Sequence, residues 1–229
     1  MMVILNIETS ATVCSVATAQ DGETVFEKTS IDGPSHAQLL GVFVDEALKD
    51  LRRRELQLDA VAVSSGPGSY TGLRIGVSMA KGLCFGLNVP LLSIPTLDLL
   101  ASSATCSSDA LLCPMIDARR MEVYSAIYDA ELRQVRGVEA EVVTSDAYKP
   151  YLDRGKVCFF GDGAGKCKSV IQSANAAFID GILPLARLMT PLSARAYEAG
   201  RFEDAAYFEP FYLKDFIATI PKNKVISRK

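Results

Sequence analysis

This chain of 229 residues has a single histidine, no C-x-x-C pair among its six cysteines and no Gly-Gly dipeptide. One histidine excludes an H-x-x-x-H metal site within the chain, and no His–Cys cluster replaces it. Any Ser-His-Asp triad would have to use His36, which follows Gly33-Pro34 at the mouth of a helix. That place suits a surface residue at a helix start. The cysteines (Cys14, Cys84, Cys106, Cys113, Cys158, Cys167) stand mostly in apolar runs such as Gly82-Leu83-Cys84-Phe85. They read as small buried hydrophobes, not as a disulfide framework. No run approaches the ~20 apolar residues that span a bilayer. The apolar start lacks a positive leader and is interrupted by Glu8, so a cytoplasmic location is expected.

What is present describes a folded chain: 49% hydrophobic residues against 22% charged. The length allows one large domain or two lobes. Net charge is −3 and the pI is near 5.3. No basic footprint for nucleic acid stands out, so another subunit is expected to supply the positive surface if RNA is involved.

Alternation predicts strands at 3–7, 13–19 and 24–30, with a hairpin at Asp21-Gly22. A helix follows from Ser35 to about Leu51, with Leu40, Phe43, Ala47 and Leu51 on one face and Ser35 as its N-cap. Then come a strand (59–64), a glycine-rich loop, a helix (75–87) and a short strand (89–94). The second half echoes this order. Strands at 111–116 and 121–128 flank a turn at Asp117-Ala118-Arg119-Arg120, a third strand covers 135–143, and a helix covers 146–153. A strand at 157–161 leads into the loop Gly161-Asp162-Gly163-Ala164-Gly165. The echo predicts an α/β fold of two lobes built from a duplicated βββαβα unit, residues 1–104 and 105–229. Ser102–Asp109 forms the hinge, and the last segment is able to pack back on the first lobe.

The loop Ser64-Ser65-Gly66-Pro67-Gly68-Ser69-Tyr70-Thr71-Gly72 joins strand to helix, where free backbone N–H groups bind phosphate in many α/β proteins. It fails the Walker A pattern, because Pro67 stands five before Gly72 and no lysine follows. The loop before Gly165-Lys166 fails likewise at Phe160. Gly72, Gly76 and Ala80 recur every four residues along the helix, at about 1 kcal/mol per interior glycine relative to alanine. Such a stripe permits close approach of another backbone, from inside the lobe or from a partner's helix. The partner's helix is preferred, since Leu73, Val77, Met79 and Leu83 make the helix apolar nearly all round.

Glu8 and Asp117 end the first strands of the two lobes, where paired carboxylates would face each other or each would cap its own turn. The alternative of an ATP-dependent phosphotransferase rests on nucleotide binding by Glu8, Ser10, Gly66, Gly68 and Asp117. The missing Gly-Gly turn weighs against it. The cations Lys222, Lys224, Arg228 and Lys229 form a basic tail.

Taken together, Ile7-Glu8-Thr9-Ser10, Ser35-His36 with Leu39-Leu40, Gly66 through Gly76, Asp117-Ala118-Arg119-Arg120 with Glu122-Val123-Tyr124, and Glu209-Pro210 with Tyr212-Leu213 resemble the bacterial TsaB (YeaZ) family of tRNA threonylcarbamoyladenosine biosynthesis proteins, related to the glycoproteases. Glu8 departs from the aspartate more usual there. The resemblance implies an actin/Hsp70/sugar-kinase-like (ASKHA) fold. It also implies a non-catalytic scaffold with no cofactor of its own, working with the catalytic paralogue TsaD and the ATPase TsaE. That complex transfers threonylcarbamoyl to the adenosine 3′ of the anticodon, with ATP or ADP at the complex interface and tRNA contacted only indirectly. The implied partner contact, shared by a homodimer, lies on the two helices of the first lobe: His36, Leu39, Leu40, Phe43, Gly72, Leu73, Gly76, Val77, Ala80 and Leu83. A peptidase, as the glycoprotease label suggests, is the third reading, and the single histidine argues against it.

Overall fold

The computed structural model describes residues 1–31 and 36–214. Its first sheet is built from β1 (Val3–Glu8), β2 (Cys14–Gln20), β3 (Glu23–Ser30), β4 (Ala60–Gly66) and β5 (Leu91–Pro95), in the order β3-β2-β1-β4-β5. The second uses β6 (Leu111–Asp117), β7 (Glu122–Tyr128), β8 (Gln134–Val142), β9 (Val157–Phe160) and β10 (Ala176–Ile179), in the order β10-β9-β6-β7-β8. Read from its first strand outwards, each sheet repeats one plan. Strands one to three form an antiparallel meander, and strands four and five add in parallel on the other side. The duplication implied by the sequence is present in the strand order.

Local chemistry sets these elements. Asp21 and Gly22 take φ of 49° and 83°, the left-handed pair that matches the twist of a two-residue hairpin between β2 and β3. Helix α1 spans His36–Arg53 and α2 spans Tyr70–Leu87. The Ser69 side chain accepts the Gly72 N–H to cap the start of α2, and Asn88 ends it in a left-handed conformation. β1 is buried along its whole length. Its core side meets α1 and α2, through Leu5, Ile7, Val16, Val61, Val63, Leu40, Val44 and Val77. The other side meets α3 (Thr96–Ser103) and α5 (Thr190–Glu198), through Ile4, Ala62, Leu92, Leu99, Met189 and Ala196. A strand buried on both faces needs no polar alternation, which is why β1 opens Val3-Ile4-Leu5 and β4 opens Ala60-Val61-Ala62-Val63 without a polar residue.

Three elements escape sequence reading. α3 begins in a stretch for which no element was predicted and runs into the first two residues of the expected hinge, α5 was not anticipated, and β10 pairs in parallel with β9 beyond the last predicted strand. The helix expected over 146–153 is reduced to the short α4 (Lys149–Leu152), with Pro150 in its first turn. α3 joins the lobes: it packs on β4 and β5 of one sheet and on β6 and β7 of the other. The Tyr128 hydroxyl on β7 donates to Asp98 on α3 at 2.6 Å. The chain after β10 returns to the first sheet, where α5 lies against β1 and β5 and Glu203 bridges to Leu91. The Ser35 cap and the basic tail lie outside the described residues.

Candidate functional site

The glycine-rich loop is filled by the chain itself. The Ser69 N–H donates to the Ser10 carbonyl at 2.6 Å, so an amide that would face a phosphate is already engaged. A Cβ at Gly68 would overlap that carbonyl, and one at Gly66 would sit 2.7 Å from the Phe211 carbonyl oxygen. The Phe211 N–H in turn donates to the Ser65 carbonyl at 2.7 Å. Glycine is required here because three segments of one chain converge.

The same holds for the stripe on α2, and this corrects an expectation. Gly72, Gly76 and Ala80 face inward. A Cβ on Gly72 would overlap the Thr9 carbonyl oxygen, and one on Gly76 would overlap Thr9 Oγ1 and stand 3.5 Å from Val63. Leu73, Val77 and Ala80 are buried against β4 and β1. The backbone that approaches is the β1–β2 turn of this lobe, so Gly72, Leu73, Gly76, Val77 and Ala80 belong to the core and not to a partner surface. Leu40 on α1 is buried as well.

His36 also departs from its expected surface position. It is 6% exposed, with Nε2 3.0 Å from the Val13 carbonyl oxygen. The ring fastens the start of α1 to the turn before β2 and has no freedom to serve a nucleophile. On α1 the buried face runs through Leu40, Val44, Ala47 and Leu51, while Leu39 and Phe43 are half-buried and Val42 is 50% exposed.

What remains outside is a different face of the same helices. Ile75, Met79 and Leu83, at i, i+4 and i+8 on α2, line an open groove of about 780 Å³ together with Tyr70, Arg74 and, from α1, Ala37. Phe85 at the end of α2 is 91% exposed. Of the residues expected at a partner contact, Leu83 lines this groove, and Leu39 and Phe43 lie partly open on α1.

The carboxylates stay with their own turns. Glu8 is fully buried and accepts the Ser10 N–H at 2.5 Å, the Ser10 hydroxyl at 2.6 Å and the Ser64 hydroxyl. Burial raises its pKa above the usual carboxylate value, partly offset by those bonds and reinforced by the charge of Asp162. Asp117 is exposed, accepting the Arg119 N–H at 2.7 Å and pairing with Lys166. The acid that Glu8 senses from the second lobe is thus Asp162, with its pKa also raised by burial; its Oδ1 accepts the Asp117 N–H at 3.0 Å. Sequence reading passed over Asp162, although its place between Gly161 and Gly163 was a usable signal. Cys14, beside Glu8, has its thiol pushed up to about 11 by burial and that charge, which makes it a poor nucleophile. Among the described residues no group of three His, Cys, Asp or Glu side chains is placed to hold a metal ion, and no helix is long and apolar enough to cross a membrane.

Comparison with known proteins places the chain in a family. The family model for TsaD, tRNA N6-adenosine threonylcarbamoyltransferase, matches residues 30–222. The Escherichia coli tRNA threonylcarbamoyladenosine biosynthesis protein TsaB is 30% identical over 228 residues, covering 95% of this chain and 96% of its own. The chain belongs to the TsaB/YeaZ family. The Bacillus subtilis TsaB is 34% identical over 174 residues, 75% of this chain and 76% of its own. A solved Pseudomonas aeruginosa protein, described as similar to peptidase YeaZ, superposes with a TM-score of 0.79 at 28% identity, covering 93% of this chain and 100% of that one. The fold is the two-lobed ASKHA class, with two five-stranded sheets.

Proposed function

We propose that this chain is a non-catalytic scaffold subunit in the synthesis of threonylcarbamoyladenosine in tRNA. It works in the cytoplasm beside a TsaD-type catalytic paralogue and a TsaE-type ATPase. The observation that carries this reading is the apolar stripe Ile75, Met79 and Leu83 on the solvent side of α2, next to Ala37 of α1. Aliphatic side chains at four-residue spacing that α1 and the core cover only in part are what a helix-packing partner buries. The same face joins two copies of the chain when the paralogue is absent. The glycine loop supports the scaffold reading, because Ser10 and Phe211 fill the space in which a phosphate would lie. Nucleotide, where the complex uses it, is held at the interface and not by this chain alone. The buried His36 weighs against a peptidase.

The test is association after replacement of groove residues that are half-buried at the edge of the core. Met79→Glu with Leu83→Glu should prevent both self-association and co-purification with the TsaD-type partner, while the circular dichroism spectrum stays that of the parent. Retained association by the folded variant would sink the assignment of this face.

A further inference from the structure

Among the described residues five aromatic side chains are exposed, and four of them, Phe202, Tyr207, Phe211 and Tyr212, lie between residues 202 and 212. Apart from the Glu203 bridge to Leu91, this ribbon has no regular secondary structure. It is nevertheless held in place by its main chain. Lys81 Nζ donates to the carbonyls of Ala206 and Phe208 at 3.1 and 3.0 Å, and the Phe211 N–H donates to Ser65. Tyr212 packs on Tyr70 with ring centroids 4.8 Å apart. Tyr207 is 84% exposed and Phe211 48%, so the fastening of the backbone leaves ring faces open to solvent. Rings presented on a fixed backbone lose little freedom when a planar group stacks on them.

The end of the ribbon meets a second unusual feature. Lys214 Nζ lies 2.5 Å from Glu122 Oε1, which sets the ribbon against the loop between β6 and β7. In that loop Arg119 and Arg120 both have left-handed backbones, with φ of 73° and 51°. Side-chain-bearing residues disfavour that region, and here the tight turn between β6 and β7 holds both in it, closed by the Arg119 N–H on Asp117 and the Glu122 N–H on the Arg119 carbonyl at 3.1 Å. Both are exposed, and neither side chain has an ion pair or hydrogen bond among the described residues. In a chain of net charge −3, two adjacent guanidiniums within three residues of Glu122, to which the end of the ribbon is tied, are a local reversal of the overall balance.

We propose that the ribbon and the β6–β7 loop form a binding site for single-stranded RNA. Bases stack on Tyr207, Phe211 and Tyr212, and Arg119 and Arg120 take the backbone phosphates. The inference rests on the reading of this chain as part of a tRNA-modifying complex, and it replaces an indirect contact with a direct one. A protein partner fits less well. The protein-docking groove on α2 is aliphatic, whereas this surface pairs rings with free cations, the combination that single-stranded nucleic acid requires. Acids lie on the same surface: Glu122 is paired with Lys214, Asp117 with Lys166, and Asp204 and Glu209 belong to the ribbon. They keep the binding modest and sensitive to salt.

Fluorescence anisotropy of the full chain with a labelled oligouridine of about twelve nucleotides, and with an unmodified tRNA transcript, at about 50 and about 200 mM salt, tests this. Arg119→Asn with Arg120→Asn keeps residues that tolerate a left-handed backbone. It should weaken binding at least tenfold and flatten the salt slope by roughly 1.4 for two single-strand phosphates. Lysine at both positions should retain most of the binding. Tyr207→Ala with Tyr212→Ala should weaken binding and leave the salt slope unchanged, which a merely structural role would not produce. Absence of binding by the parent chain at the lower salt, or equal affinity and slope in the arginine variant, overturns the proposal. So does loss of association with the TsaD-type partner in these variants while RNA binding persists, because the surface would then be a protein interface. Failure of the groove variants to disrupt association, with RNA binding intact and sensitive to Arg119 and Arg120, refutes the proposed docking face and leaves this site standing.

Discussion

Thr9 sits where a side chain on Gly76 would have to go. Its hydroxyl donates to the Gly72 carbonyl at 2.8 Å, one turn earlier on the same helix, and its Oγ1 fills the position of the missing Cβ. The turn after β1 is therefore locked to α2 by one hydrogen bond and one close approach. This contact explains why a helix tolerates glycine at successive turns.

Gly76→Ala should destabilise the fold by about 2–4 kcal/mol, the range for forcing an extra group into a packed site and breaking a buried hydrogen bond. Gly82→Ala, on the same helix but with no atom within 4 Å of its Cβ position, should stabilise by about 0.5–1 kcal/mol through helix propensity. Urea titrations of the two variants give the comparison. A Gly76→Ala protein as stable as the parent would mean that Thr9 is not packed as described.

Glu8 makes stability fall with rising pH. Its folded pKa lies above the reference value of 4.5 because burial penalises the charged form. Between 4.5 and the raised folded value the native state holds a proton that the unfolded state has released, so stability is greatest below that window and declines as pH climbs through it. Asp162 acts in the same direction from its reference value of 3.8. The urea midpoint of Glu8→Gln, measured from pH 4.5 to 7.5, should decline less than that of the parent. Parallel curves would refute the assignment.

Lys81 ties the ribbon to α2 through two carbonyls. Lys81→Met keeps the stem and removes the donors, at a cost of about 1–3 kcal/mol for two charge-assisted bonds that are partly exposed. Hydrogen exchange should accelerate across residues 203–212 and stay unchanged in β1 and β4. Uniform acceleration throughout the fold would instead point to global destabilisation.

The isolated chain should give no micromolar ATP signal in calorimetry, and Asp117→Ala should change nothing, because Ser10 and Phe211 occupy the loop and Asp117 is bound to Arg119 and Lys166. Tight binding lost on that substitution would revive the phosphotransferase reading.

Much of this was legible in the sequence. The hairpin at Asp21-Gly22, the strand–loop–helix around Gly66 and the echo of one half in the other follow from local preference and alternation, which act over a few residues and leave a regular pattern. The apolar circumference of α2 and the four-residue recurrence of Gly72, Gly76 and Ala80 were equally plain. What those patterns cannot encode is direction. A small-residue stripe looks the same whether it admits a partner's helix or the turn of its own lobe, and only the position of Thr9, in contact with Gly72 across 63 residues of chain, settles which. The position of His36 escapes sequence reading for the same reason, since its partner is the Val13 carbonyl in the turn before β2. The bond of Asp162 to the Asp117 N–H, the return of α5 to the first sheet and the tie of Lys214 to Glu122 depend on contacts between segments far apart in sequence. The chain determines its elements by local chemistry. Which faces are left for other molecules is decided by packing, because burial belongs to the whole fold and not to any segment of it.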